Sequence, residues 1–255
     1  MNVVARLRAA GCVFAEDEAA LLVEAARTPA ELVAMVGRRA AGEPLEQVVG
    51  WAGFAGLRIA VEPGVFVPRR RTEFLVRAAV ARGGPRAVVL DLCCGSGALG
   101  AAVAHALGDG VELHAVDIDP AAVRCARRNV RGRVYEGDLF APLPDALRGR
   151  VGLLLCNVPY VPTGEVALLP AEARDHEPRV ALDGGVDGLD VQRRIIAEAP
   201  AWLAAGGHLV VETGRSQAPG TVAACATAGL DARVVTDDDL DATAVVATPL
   251  RRLAR

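Results

Sequence analysis

The tetrapeptide Asn157-Val158-Pro159-Tyr160 follows the apolar run Val151-Gly152-Leu153-Leu154-Leu155-Cys156, and its residue types suit the holding of a flat amino group. The Asn157 side-chain oxygen and the Val158 backbone carbonyl can each accept one N–H, Tyr160 can pack on the planar group, and Pro159 stiffens the turn. Amide and aryl-amine nitrogens are poor nucleophiles because their lone pairs are delocalised. A site that orients such a nitrogen and raises its electron density works mainly by positioning and electrostatics, and it needs no strict general base, since the alkylated nitrogen is acidic. Taken alone, Asn157 is equally a turn former at a strand end and Tyr160 a half-buried ring. A second set of residues gives them their chemical reading.

That set is Asp91-Leu92-Cys93-Cys94-Gly95-Ser96-Gly97-Ala98-Leu99-Gly100, between a predicted strand and a predicted helix, with Asp117 and Asp138 further on. Gly95 to Gly100 spell GxGxxG, and two cofactors fit such a loop. A dinucleotide would set its pyrophosphate on the helix N-terminus, and Asp117, seventeen residues after Gly100, would hold ribose hydroxyls for either cofactor. Asp91 separates the two, because a carboxylate beside the loop repels a pyrophosphate but attracts the ammonium and sulfonium of S-adenosylmethionine. The expected cofactor is therefore S-adenosylmethionine, leaving as S-adenosylhomocysteine, and an NAD(P)-dependent oxidoreductase is the disfavoured alternative. Candidate cofactor residues are Asp91, Cys93, Cys94, Gly95, Ser96, Gly97, Asp117, Ile118, Asp138, Leu139 and Asn157. Asp138 is placed to accept the adenine amino group, and Leu139 offers a backbone N–H and an apolar face. Cys93 and Cys94 read as packed thiols rather than reactive ones.

The elements that must position these residues follow from periodicity. Short helices with apolar residues at three- and four-residue spacing occupy the first forty-odd positions. Leu57, Ile59 and Val61 alternate as a strand before Pro63-Gly64, and Thr72-Glu73 open a helical run that Gly83-Gly84-Pro85 stops. Strands are then expected at 87–90, 111–116, 133–136, 151–156 and 208–211, with a long loop to Gly188 and with Gly206-Gly207 marking a helix end. Two β-branched runs, 232–235 and 243–247, joined by the acidic turn 237–241, must pair antiparallel. The expected organisation is a small helical domain at 1–41, a hairpin linker with a connecting helix at 42–84, and the main domain at 85–255.

Composition narrows the function classes. The 255 residues are 52% hydrophobic, 4% aromatic and 23% charged, which describes an aliphatic globular core. All 28 basic residues are Arg, so Schiff-base chemistry, pyridoxal phosphate attachment and a Lys-dependent Walker loop are excluded. A net charge of −3 gives no broad field for a polyanion, so nucleic acid is disfavoured as a partner. The six Cys form no CxxC pair and have no matching His spacing, so no metal is expected. The longest uncharged stretch, 92–108, is broken by glycines, and Met1 to Ala10 carries Arg6 and Arg8 without a signal-peptide core. A cytoplasmic protein with no membrane association is expected; oligomeric state is left open.

The mostly parallel sheet of seven strands that ends in an antiparallel hairpin resembles the Rossmann-like α/β fold of class I S-adenosylmethionine-dependent methyltransferases. Asn157 to Tyr160 resembles the Asn/Asp-Pro-Pro-Tyr/Phe motif of amino-group methyltransferases. With Gly42-Glu43-Pro44-Leu45, Val67-Pro68-Arg69 ahead of Thr72-Glu73, Glu177-Pro178, Ala181 to Gly185 and Asp187-Gly188-Leu189, the chain is similar to the HemK/PrmC-type protein-glutamine methyltransferases from about Gly42 to Gln217. That resemblance implies a methyl transfer to the glutamine amide in the Gly-Gly-Gln motif of a peptide-chain release factor, a protein partner in translation termination. It implies that Asp91, Gly95, Gly97, Asp117 and Asp138 hold the cofactor, that Asn157, Val158, Pro159 and Tyr160 hold the amide, and that Phe66, Arg69 and Glu177 belong to the substrate entrance. Val158 stands where the family has its first Pro, and Arg71 where an acidic residue usually precedes Thr-Glu. The helical region before Gly42 is shorter than the family norm. The alternatives are the same chemistry on an adenine amino group or a small planar metabolite, and a cofactor-binding module without catalysis.

Overall fold

The computed structural model describes residues 2–250, so Met1 and residues 251–255, the outer ends of the expected segments 1–41 and 85–255, lie outside the described residues. Four short helices come first: α1 (Val3–Ala9), α2 (Ala15–Ala25), α3 (Pro29–Ala40) and α4 (Leu45–Val49). Thr28 starts α3 by accepting the Glu31 backbone N–H at 3.1 Å, with Pro29 in the first turn. Leu7, Leu22, Val36 and Val48 meet in a small core of their own. Helix α4, in the segment read as linker, contributes Val48 to that core and ends where Gly50 turns left-handed at φ +83°. The hairpin β1 (Trp51–Phe54) and β2 (Leu57–Ala60) follows, tied to the next helix by the Ala55 N–H donating to Glu73 Oε1 at 3.0 Å.

The main sheet alternates with helices: α5 (Glu73–Val80), β3 (Val88–Leu92), α6 (Ala98–Leu107), β4 (Glu112–Asp117), α7 (Pro120–Asn129), β5 (Arg133–Glu136) and β6 (Val151–Cys156). Then come α8 (Ala171–His176), α9 (Asp190–Trp202), β7 (Leu203–Glu212), α10 (Ala218–Thr227), β8 (Leu230–Asp237) and β9 (Ala242–Pro249). The strand order is β5-β4-β3-β6-β7-β9-β8. Strands β3 to β7 pair in parallel, whereas β9 is antiparallel to both β7 and β8. This is the expected α/β sheet with a terminal hairpin.

The unalternating run 151–156 is explained by cover on both faces. Leu153 and Leu155 enter the core with α5 and α6, while Leu154 and Cys156 enter the opposite core with α9 and α10. The same alternation in β3 sends Leu90 and Leu92 to one core and turns Asp91 toward α6. Because the strands are parallel, Asp91, Asp117 and Asn157 come out at one edge, with Asp138 just past β5.

Two local expectations are corrected. Gly206-Gly207 do not end a helix: α9 stops at Trp202 and β7 begins at once. The two glycines lie inside β7 where its pairing with β6 changes register between Val151 and Leu153, and a Cβ on Gly207 would sit 2.5 Å from the Val151 carbonyl oxygen. They form a bulge that only glycine fits. The segment read as a loop to Gly188 contains α8 and two 3-10 turns, Thr163–Leu168 and Arg179–Ala181. Among the described residues no helix is long and apolar enough to cross a membrane.

Candidate active site

A cavity of about 500 Å³ opens at the carboxyl edge of the sheet. Its wall includes Cys93 to Ser96 of the loop from β3 to α6, a loop built on positive φ at Cys93 (+55°), Gly95 (+55°) and Gly97 (+78°). The loop is bonded to the neighbouring strand: Cys94 N–H donates to the Val116 carbonyl at 3.0 Å, and Gly95 N–H donates to Asp117 Oδ2 at 2.8 Å. Gly97 is irreplaceable on two counts, its φ and the 2.6 Å that would separate a Cβ from Val130 Cγ2. Gly97→Ala is expected to destabilise the fold by about 1–3 kcal/mol, read as a lower urea midpoint at unchanged slope. A midpoint within error of wild type would refute this account of the loop.

Gly100, the last glycine of the motif, lets α6 close on the sheet. Its N–H donates to Asp91 Oδ2 at 2.8 Å, and a Cβ there would lie 2.9 Å from that oxygen. Asp91 is only 1% exposed, yet it lines the cavity. Burial, partly offset by the Gly100 N–H and reinforced by Asp117, pushes its carboxyl up to about 7. Asp117 is also raised, chiefly by burial. A buried carboxylate at a cavity wall, with no cation among the described residues paired with it, matches a ligand that brings its own positive charge, so these residues fit the ammonium and sulfonium of S-adenosylmethionine. Ile118, half exposed, and Leu139, held at φ +49°, supply apolar wall. Asp138 also lines the cavity but has a partner the sequence did not announce, Arg194, whose Nη2 donates to Asp138 Oδ2 at 2.6 Å. Burial pushes the Cys93 and Cys94 thiols up, so both stay protonated at neutral pH.

At the end of β6, Asn157 to Tyr160 line the same cavity beside the loop. Asn157 Nδ2 donates to Thr72 Oγ1 at 3.3 Å, which orients the amide, and no described residue donates to its Oδ1. The tetrapeptide is pinned from outside. Gly184 packs so closely that a Cβ would lie 2.7 Å from the Pro159 carbonyl oxygen, and one on Gly188 would lie 2.2 Å from the Tyr160 carbonyl oxygen. Gln217 Nε2 donates to that Tyr160 carbonyl at 2.8 Å.

Phe66 and Arg69 stand at the cavity wall, the guanidinium 4.8 Å over the ring. Glu177 is not brought to the wall. Its side chain is fully buried behind Arg69, accepting from Arg69 Nη2 at 2.6 Å and from the Val67 N–H at 3.1 Å. Its carboxyl is raised, mainly by burial. Residues that sequence reasoning left without a role are Thr72, Arg71, Arg194, Glu212 and Gln217. Thr72 had a signal, its place in the quoted Thr-Glu pair, whereas Glu212 and Gln217 become site residues only when β7 is laid beside β6.

Comparison with known proteins follows the same chemistry. The Methyltransferase small domain family matches residues 56–170. A crystal structure of a methyltransferase from Pyrococcus furiosus shares the fold, with a TM-score of 0.56 at 17% identity over 75% of this chain and 88% of that one. With the sheet order and the Asp91 loop, this defines a class I S-adenosylmethionine-dependent methyltransferase. The chain is 42% identical over 198 residues to the release factor glutamine methyltransferase of Geobacter sulfurreducens, covering 74% of this chain and 68% of that protein. It is also 38% identical over 192 residues to a 4-amino-L-phenylalanine/4-methylamino-L-phenylalanine methyltransferase of Streptomyces pristinaespiralis, covering 71% of this chain and 65% of that one. The chain thus spans about two thirds of the length of the curated relatives it matches. It belongs to the release factor glutamine methyltransferase family.

Proposed function

We propose that this protein methylates the side-chain amide nitrogen of a glutamine in a protein, the Gly-Gly-Gln segment of a peptide-chain release factor, in the cytoplasm. The observation that carries the reading is the Asn157 amide at the cavity wall, whose Nδ2 is engaged by Thr72 while no described residue donates to Oδ1. An acceptor oxygen so fixed, next to the Val158 carbonyl, takes the two hydrogens of an NH2 and leaves its lone pair aimed across the cavity. Bound S-adenosylmethionine supplies the electrophilic methyl. Asp91 would balance its charge, Asp117 would meet the ribose hydroxyls, Ile118 and Leu139 would cover the adenine, and Asp138, braced by Arg194, would accept from the adenine amino group. Asn157 and the Val158 carbonyl hold the acceptor nitrogen in line, and Tyr160 covers the amide plane and excludes water. The Phe66-Arg69 pair, held by buried Glu177, forms the rim that the acceptor segment crosses.

The decisive experiment incubates the protein with S-adenosylmethionine and a Gly-Gly-Gln release factor and maps the glutamine peptide by mass spectrometry. A gain of one methyl on that glutamine is expected; an unmodified glutamine at saturating donor overturns the substrate. The Streptomyces pristinaespiralis relative gives a second reading a specific basis, a free aryl amine as acceptor. The same assay offered an aminophenylalanine decides between them.

A further inference from the structure

The carboxylate of Glu212 is only 3% exposed, at the end of β7 next to the strand that carries Asn157 to Tyr160. Its Oε1 accepts from Tyr160 Oη at 3.2 Å and from Arg71 Nε at 3.3 Å, while Arg71 Nη2 donates to the same Tyr160 hydroxyl. The phenol is thereby used as donor and as acceptor at once, and only the ring is left for a ligand. The Glu212 main chain is fixed as well, its carbonyl accepting from Gln192 Nε2 at 3.2 Å. Its Oε2 is buried with no hydrogen-bond partner among the described residues. A carboxylate that served packing alone would be a poor choice here, because leaving one oxygen dry costs stability that an apolar side chain would not.

We propose that Glu212 is a positioning residue for the acceptor: by gripping the Tyr160 hydroxyl together with Arg71, it fixes the ring plane against which the acceptor's NH2-bearing group stacks. This rests on the reading of Asn157 to Tyr160 as the acceptor clamp. It also assigns Arg71 a task. The guanidinium is half exposed at the cavity wall and completes the grip from the solvent side, its carbon 5.8 Å from the Tyr160 ring centre. The phenol stays protonated throughout the working range, since burial and Glu212 push it up to about 12.

The chain has only two tyrosines, Tyr135 and Tyr160, so protein labelled with 13C at the tyrosine ζ-carbon gives two resonances. Glu212→Ala is expected to move the Tyr160 resonance and leave that of Tyr135 in place. In the methyl-transfer assay it lowers kcat about tenfold or more, with S-adenosylmethionine affinity by calorimetry within about twofold of wild type. Glu212→Gln, which keeps an acceptor oxygen for the phenol, restores most of the rate. Added to Tyr160→Phe, Glu212→Ala costs little more, because both remove the same grip. Should Glu212→Ala fail to fold, Glu212→Asp keeps the charge but withdraws the oxygen by one methylene, and the same losses are expected. An unmoved Tyr160 resonance, an unchanged kcat, or full additivity with Tyr160→Phe overturns the proposal. If wild-type protein methylates no glutamine while the Tyr160 resonance moves as stated, the function assigned above fails and the grip on Tyr160 stands.

Discussion

Asn157→Ala is expected to lower kcat for methyl transfer by on the order of 10²–10³, the cost of removing one preorganised hydrogen-bonding group from a transition state. S-adenosylmethionine affinity should remain within about twofold, because the charge-bearing contacts come from the loop after β3 and from Asp117. The distinction matters, since Asn157 lines the shared cavity and was also expected from the sequence to touch the cofactor. A kinetic split of this kind separates a group that acts on the nitrogen from one that merely shapes the cavity. Single-turnover rates at saturating donor measure the first quantity and calorimetry the second. A fall in donor affinity that accounts for the whole loss would move Asn157 out of the acceptor clamp. Asn157→Asp supplies the companion result, as it keeps an acceptor oxygen but places a charge next to an N–H donor.

Donor binding should depend on pH through Asp91. Burial raises its carboxyl to about 7 in the unliganded protein, with Asp117 adding to the effect. A raised carboxyl is neutral in the fold at mildly acidic pH, so its contribution to stability is complete below the ordinary carboxylate range and is lost as pH rises to about 7. A cationic ligand reverses the preference, because it draws on the ionised form. S-adenosylmethionine affinity is therefore expected to weaken by about tenfold per pH unit below about pH 7, and to level off above it. Calorimetric titrations between pH 5.5 and 8.5, values chosen about that midpoint, give the curve. Asp91→Asn should bind more weakly at high pH and lose the slope. A flat profile in the wild type would show that the cation meets another carboxylate. Stability without ligand moves the opposite way, the urea midpoint falling as pH rises to about 7 and levelling off above it.

Much of this was legible in the sequence because the chemistry is carried by strand ends. A run such as Val151 to Cys156 announces a doubly covered strand, and whatever follows it must come out at the ligand-binding edge. Asp91 was legible for a second reason: its charge discriminates between two cofactors that the glycine pattern alone admits. Contacts between residues far apart in the chain were not legible. Glu177 lies 108 residues from Arg69 and Glu212 lies 141 from Arg71, and no periodicity encodes such pairs. Gly206-Gly207 misled because a glycine pair after an apolar helix is as good a stop signal as it is a bulge. Only the register shift against Val151 distinguishes them. Asp138 read correctly as a strand-end carboxylate, but its ion pair with Arg194 depends on where α9 is laid on the sheet.

The close approach of Gly184 and Gly188 to the Pro159 and Tyr160 carbonyls bears on how this family can change. A proline at position 158 would stiffen the clamp from within its own backbone, and with valine there the stiffness is borrowed from a distant stretch of chain. Drift in acceptor preference can then begin at Gly184 and Gly188, which press on the clamp's carbonyls from outside the cavity, while the four signature positions keep their letters. Two homologues with matching signatures can on this view prefer different amines, and the informative letters for telling them apart lie in the glycine-rich buttress.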